Sequence, residues 1–262
     1  MLLLCFMNQK RWIALIWVAS VFTLGISWIT TPRAQKSQNT SLQETDTAIT
    51  KNFVMGQFFP ERDARFMIVP SQIASKSMWL QKPVIFAFQK MARAAISQGI
   101  ELKIISGTRN FWQQKAIWER KWQSNTPMFG TGIDNAKHIL RYSSMPGSSR
   151  HHWGTDLDIN SLEPSYFKAG RGLREITWLR QHAGEYGFCE VYSPRSTGRL
   201  RGHEPESWHW SYMPLAKQYL SHYSTNVKYE DFNQFYGSRL AKDLRIIEDF
   251  VGGISNCVDT DL

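Results

Sequence analysis

Three cysteines in 262 residues are too few for a disulfide-built scaffold or a cysteine zinc cluster. With 17 Gly and 10 Pro there is no collagen-like or low-complexity bias, and no internal repeat is visible beyond residue 52. That same region contains no basic run interleaved with aromatics, so nucleic acid is not an expected partner. What is present is a core-forming composition: 42% hydrophobic and 13% aromatic residues, 11 of them Trp, exclude a disordered chain.

Charge is unevenly placed. The chain carries 31 Lys+Arg against 22 Asp+Glu, a net of +9. Five basic and two acidic residues lie within 1–51, so the remaining 26 basic and 20 acidic residues leave +6 for the rest. This modest excess suits an anionic wall polymer or membrane surface.

Lys10 and Arg11 precede Trp12 to Ile29, eighteen residues without a charge and with Trp at both ends. Residues 1–32 are therefore expected to be a signal anchor or signal peptide, and residues 12–29 to contact the membrane. The basic pair on the N-terminal side predicts that everything after residue 30 faces outward, in the cell envelope, anchored at the inner membrane facing the periplasm or exported. Cys5 precedes the apolar run, where a lipoprotein cysteine would follow it. Cys189 and Cys257 could pair in an oxidising compartment or stay as two buried thiols.

Residues 33–60 are expected to form a polar tether, Ser/Thr/Gln/Asn-rich through residue 52. A catalytic domain is expected over 61–222 and a helical C-terminal extension over 223–262, with Leu240, Leu244, Ile247 and Phe250/Val251 on one face. Within the domain, spacing in Trp79 to Gln98 predicts a helix that starts near Pro83 and stops at Gly99, followed by a buried strand at Ile100 to Ser106 and a second helix from Phe111 to about Gln123. Residues 125–150 read as loop. A strand after His151, a helix near Arg174 to Tyr186 and a strand at Gly187 to Tyr192 follow. The fold class is α+β: a small antiparallel sheet flanked by helices, with the metal site at one sheet edge.

Two stretches carry the chemistry: Ser149-Arg-His151-His152-Trp153-Gly154-Thr155-Asp156-Leu157-Asp158 and Glu206-Ser207-Trp208-His209. A catalytic zinc needs three His/carboxylate ligands, an open position and a nearby base. His151, Asp158 and His209 could be the ligands and Glu206 the base. On an uninterrupted strand, residues seven apart point to opposite faces, so Gly154 must turn the chain for His151 and Asp158 to converge. Glu206 and His209, three apart, become neighbours in a single turn. His151 and His152 should point in opposite directions, so only one of them is expected to reach a metal. Trp153, Trp208 and Trp210 are expected in the core or in pocket walls.

These motifs resemble the zinc D-alanyl-D-alanine carboxypeptidases of the VanY type, in the wider group with lysostaphin-like peptidases and hedgehog. Ser106-Gly107-Thr108-Arg109 with Gln113, and Tyr186-Gly187-Phe188, are similar to further elements of that family. The resemblance covers roughly residues 76–219. It implies that His151, Asp158 and His209 bind one Zn2+, and it selects His151 over His152. Glu206 would act as general base and then as proton donor, Arg109 would face the oxyanion, and Ser149 and Gln113 would contact substrate. The substrate implied is a peptidoglycan stem peptide, trimmed by D-alanyl-D-alanine carboxypeptidase action. An endopeptidase of the same fold, or a non-catalytic zinc-stabilised binding module, would share these residues. Asp156 departs from the family pattern, which has a small residue there. It could orient a ligand histidine or compete for the metal.

Overall fold

Val84, Ile85, Phe88, Met91 and Ala95 recur at helical spacing and are all buried. They anchor the second of six helices in the computed structural model, which describes residues 48–257. The helices are α1 (Lys51–Val54), α2 (Lys82–Ser97), α3 (Phe111–Phe129), α4 (Ile133–Leu140), α5 (Gly170–His182) and α6 (Met213–Asn226). The strands are β1 (Phe66–Ile68), β2 (Trp79–Gln81), β3 (Ile104–Ser106), β4 (Asp156–Ile159), β5 (Phe188–Cys189) and β6 (His209–Tyr212). Helices around small antiparallel sheets make an α+β fold. The expected membrane segment lies outside the described residues. Among the described residues no helix is long and apolar enough to cross a membrane.

β1 and β2 form one antiparallel pair, and the other sheet has the order β3-β4-β6-β5, antiparallel throughout. The expectation of a site at the sheet edge is corrected, because the motif strands β4 and β6 are the central pair. Their register sets Asp156 opposite Ser211, Leu157 opposite Trp210 and Asp158 opposite His209. Side chains alternate across a strand, so Leu157, Ile159 and Trp210 join one apolar core with α2 and α5. Asp156, Asp158, His209 and Ser211 share the other face, and all four are buried. A second apolar core gathers Phe53, Trp118, Trp122, Ile139, Trp153 and Tyr223.

The helix begins at Lys82, beside the expected start near Pro83, which suits a first helical turn, and Trp79–Gln81 before it pairs with β1. Three local expectations change. Of the strand predicted at Ile100 to Ser106, only Ile104–Ser106 pairs as one. The supposed loop 125–150 contains α4, whose Ala136, Ile139 and Leu140 are buried. The tether is shorter than expected: Phe53, Val54 and Met55 are core residues, and Trp153 Nε1 donates to Val54 O at 2.9 Å.

The extension is not one continuous helix. After α6 it breaks into short turns, with Gln234, Gly237 and Arg245 at positive φ, and ends in the wide turn Ile246–Val251. Phe232, Phe235, Leu244 and Ile246 reach the second core from these separate turns, so burial overrides helical period. The segment then runs back beside β5. Ser255 N donates to Val191 O at 2.9 Å, and Cys257 is disulfide-bonded to Cys189 with Cα atoms 6.0 Å apart. The bridge joins residues 68 apart in sequence. Replacing both cysteines by Ser should lower unfolding free energy by about 2–4 kcal/mol, read as a lower urea midpoint with a steeper slope, because the unfolded chain is released to expose more surface.

Candidate active site

Gly154 decides whether the first motif can converge. Arg150–Trp153 forms a single 3-10 turn that ends at Gly154 with φ 68°. This left-handed residue turns the chain into β4 and brings His151 and Asp158 together. A Cβ at Gly154 would collide with the Phe66 ring. In the second motif, His209 N donates to Glu206 O at 3.0 Å, closing the turn that sets Glu206 beside the first residue of β6. Glu206 Oε2 lies 3.6 Å from His209 Nδ1.

The stretch after β3 orients the histidines through its backbone. Gly107 O accepts from His151 Nδ1 at 2.9 Å, which leaves Nε2 facing the site. Arg109 O accepts from His152 Nδ1 at 2.6 Å, and Gly147 N donates to His152 Nε2 at 3.1 Å. Both nitrogens of His152 are thus engaged, and His151 is the one that reaches the site.

Asp158 Oδ1 is 3.4 Å from His151 Nε2 and 3.3 Å from His209 Nδ1. One donor atom from each of His151, Asp158 and His209 lies within 4.8 Å of the others. Donors about 2.0–2.1 Å from a tetrahedral zinc sit roughly 3.3–3.4 Å apart, which is the separation of Asp158 from each histidine. Asp158 Oδ1 is also buried without a hydrogen-bond partner, an arrangement costly for a carboxylate that serves nothing else.

The electrostatics reflect crowding in a buried space. Burial, reinforced by the Asp158 charge, pushes Glu206 up to about 8 against the pull of His209, Arg109 and Lys121. Burial disfavours charge on His209, yet its hydrogen bond to Asp156 and the adjacent Asp158 carboxylate push it up to about 9. Burial and the nearby Arg109 lower His151, and burial takes His152 down to about 3. Asp158 resists the upward push of burial because His151 and His209 hold it well below the usual carboxylate range. A divalent cation among the three donors would favour the ionised form of both carboxylates.

His151, Asp158 and Glu206 line a cavity of about 540 Å³. Arg109, Lys121 and Trp208 line it, and Tyr142, Leu162 and Glu163 stand at its exposed rim. Arg109 has a buried Nε with no hydrogen-bond partner. Burial and Arg109 lower the pKa of Lys121, a cavity cation the sequence reasoning missed. Trp208 is a pocket wall, whereas Trp153 and Trp210 are core.

Two expected substrate contacts are elsewhere. Ser149 is buried but does not line the cavity, where Ser143 does. Gln113 is exposed and caps α3: its Oε1 accepts from Asn110 N, and Asn110 Oδ1 accepts from Gln113 N, both at 2.9 Å. The inward residue is Gln114, whose Nε2 donates to Ser144 O at 2.7 Å and steadies the wall beside Ser143. Phe111, Gln114, Trp118 and Trp122 form the buried stripe of α3, so helical spacing from the apolar residues could have selected Gln114.

Residues 77–215 match the family model described as VanY, D-alanyl-D-alanine carboxypeptidase. The chain belongs to this family. The VanY match takes in Arg109, the donor triad and Glu206, while α1 and the segment after α6 lie outside it. Among curated proteins, YodJ of Bacillus subtilis is 28% identical over 137 residues, 52% of this chain and 46% of that protein. A D-alanyl-D-alanine carboxypeptidase of Enterococcus faecium is 25% identical over 144 residues, 55% of this chain and 40% of that one. The matched region thus spans less than half the length of either relative. Among solved structures, the LdcB LD-carboxypeptidase is similar with a TM-score of 0.48 at 21% identity, covering 66% of this chain and 77% of that one.

Gly154→Ala should destabilise the protein by about 1–3 kcal/mol, from backbone strain together with the clash on Phe66. Chemical denaturation measures it. Metal uptake should weaken in parallel, because the turn that joins His151 to Asp158 is the one disturbed.

Proposed function

We propose that this chain is a zinc-dependent peptidase that removes the C-terminal D-alanine from peptidoglycan stem peptides on the outer side of the cytoplasmic membrane. One observation carries this reading: donor atoms of His151, Asp158 and His209 converge within 4.8 Å of one another beside Glu206, where His151, Asp158 and Glu206 line a cavity together with Arg109. Zinc held by those three residues would supply Lewis-acid polarisation of the peptide carbonyl and activation of water.

The chain's own residues do the rest. Glu206, a buried carboxyl 3.6 Å from His209, receives the proton of the attacking water and returns it to the leaving amine. Arg109, with its unpartnered buried Nε, donates to the negative charge that develops on the carbonyl oxygen. Asp158 and the two histidines keep fixed positions because β4–β6 pairing and the Gly107 carbonyl hold them. Lys121 on the same wall offers a positive charge to a terminal carboxylate, which favours exopeptidase over endopeptidase cutting. The name of the Enterococcus faecium relative supports the D-alanyl-D-alanine substrate class. The apolar run at residues 12–29 and the Cys189–Cys257 disulfide support an envelope location, anchored or exported.

The test uses the full chain with one equivalent of zinc. Its substrates are a stem pentapeptide ending in D-Ala-D-Ala, the tetrapeptide with a single terminal D-alanine, and a cross-linked dimer. Free D-alanine from the pentapeptide, abolished by a chelator and restored by zinc, is the expected result. Glu206→Gln should lower kcat about 10²–10⁴-fold with zinc still bound, and Arg109→Met should lower kcat/KM about 10²–10³-fold. Lys121→Met should raise KM several-fold with a smaller effect on kcat. Release that survives both chelation and Glu206→Gln would overturn the mechanism, and cleavage confined to the dimer would overturn the exopeptidase assignment.

A further inference from the structure

Asp156 stands two residues before Asp158, on the same buried face of β4, yet it takes no part in the chemistry described above. Its carboxylate is fully engaged. Oδ1 accepts from Arg150 Nε and from His209 Nε2, each at 3.0 Å. Oδ2 accepts from Thr155 Oγ1 at 2.6 Å and from Ser211 Oγ at 3.0 Å. A carboxylate offers about four lone-pair positions, and four donors occupy them. Asp156 therefore has nothing left to offer a metal, which removes it as a competing ligand.

The contact with His209 is made by the ring nitrogen that faces away from the donor triad. Nδ1, the other nitrogen, is the one 3.3 Å from Asp158 and 3.6 Å from Glu206. We infer that Asp156, neutralised by Arg150, is a positioning residue: it accepts the Nε2 hydrogen of His209 and so fixes Nδ1 as the atom presented for coordination. A carboxylate behind a ligand histidine sets both its orientation and its basicity. His151 is held differently, by the neutral Gly107 carbonyl, so the two histidines are unequal and His209 is the more strongly donating one.

Arg150 is what makes this arrangement tolerable in a buried setting. The Arg150 and Asp156 side chains are both 0% exposed. An isolated carboxylate there would be strongly disfavoured. Arg150 also donates from Nη2 to Ser211 Oγ at 2.7 Å, and its guanidinium lies 4.6 Å from the centre of the Trp153 ring. The chain of contacts runs from the core, through Trp153 and Arg150, to Asp156 and His209.

This inference rests on the metal reading of the donor triad, and the experiment separates the two. Zinc affinity of the full chain is measured by competition with a chromophoric chelator, the Co2+-loaded protein is examined by visible absorption, and metal-free thermal unfolding is recorded alongside. The variants are Asp156→Asn, and Asp156→Asn with Arg150→Gln, which removes both buried charges while keeping hydrogen-bonding groups. Zinc affinity should fall about 10- to 100-fold in whichever of the two variants unfolds cooperatively, with an altered Co2+ spectrum. Affinity within threefold of the unmodified protein and an unchanged spectrum in a folded variant would overturn the inference alone. An unmodified chain that takes up no zinc would overturn both it and the reading beneath it.

Discussion

Asp158 and His209 face each other across the two central strands, and the remainder of the site is arranged around the cost of keeping that pair out of water. A buried carboxylate beside imidazoles is costly unless most of the polar atoms around it are partnered. The β4–β6 register puts four polar side chains on one buried face, and neighbouring segments satisfy most of their polar atoms. The backbone after β3 supplies carbonyls to His151 and His152, Arg150 and Ser211 satisfy Asp156, and Asp158 keeps one oxygen aimed between the imidazoles.

Segments distant in the chain hold this face in place. α1 reaches it through the Trp153 indole, α3 contributes Lys121 from one wall, and Gln114 braces the opposite loop. The closing segment is tied by a disulfide and by Ser255 to the Cys189–Ser193 stretch. From there the chain leads to Glu206, whose own N–H donates to Tyr192 O at 2.9 Å. Glu206 is therefore positioned by residues outside the VanY match as well as by those within it.

Much of the site was legible because its spacings have only a few physical solutions. A seven-residue gap with a glycine in the middle implies a reversal, and Gly154 makes it; a three-residue gap implies one turn, and Glu206 to His209 makes it. Gln113 and Ser149 were assigned by motif position alone, and packing sent them elsewhere: a helix cap consumes the first, while the second is buried off the cavity. α4 was hidden by the Gly, Ser and Pro around it, because its short apolar stripe is outweighed by turn-forming flanks. The tail kept the apolar residues that suggested a helix but buried them from several turns instead of one face.

The amino-acid order by itself determined the need for a turn at Gly154 and the α+β class, since each follows from residue type and separation along the chain, whereas His151 was chosen over His152 through a family resemblance. It also marked Asp156 as an extra acid on the ligand face without saying what that acid does. Tertiary structure decided that question, because Arg150, Thr155, Ser211 and His209 saturate the carboxylate only when β4, β6 and the preceding turn are packed together. It likewise decided which histidine nitrogen faces inward and which strands lie at the centre of the sheet. Those outcomes depend on hydrogen-bond partners far away in sequence, and local spacing carries no record of them.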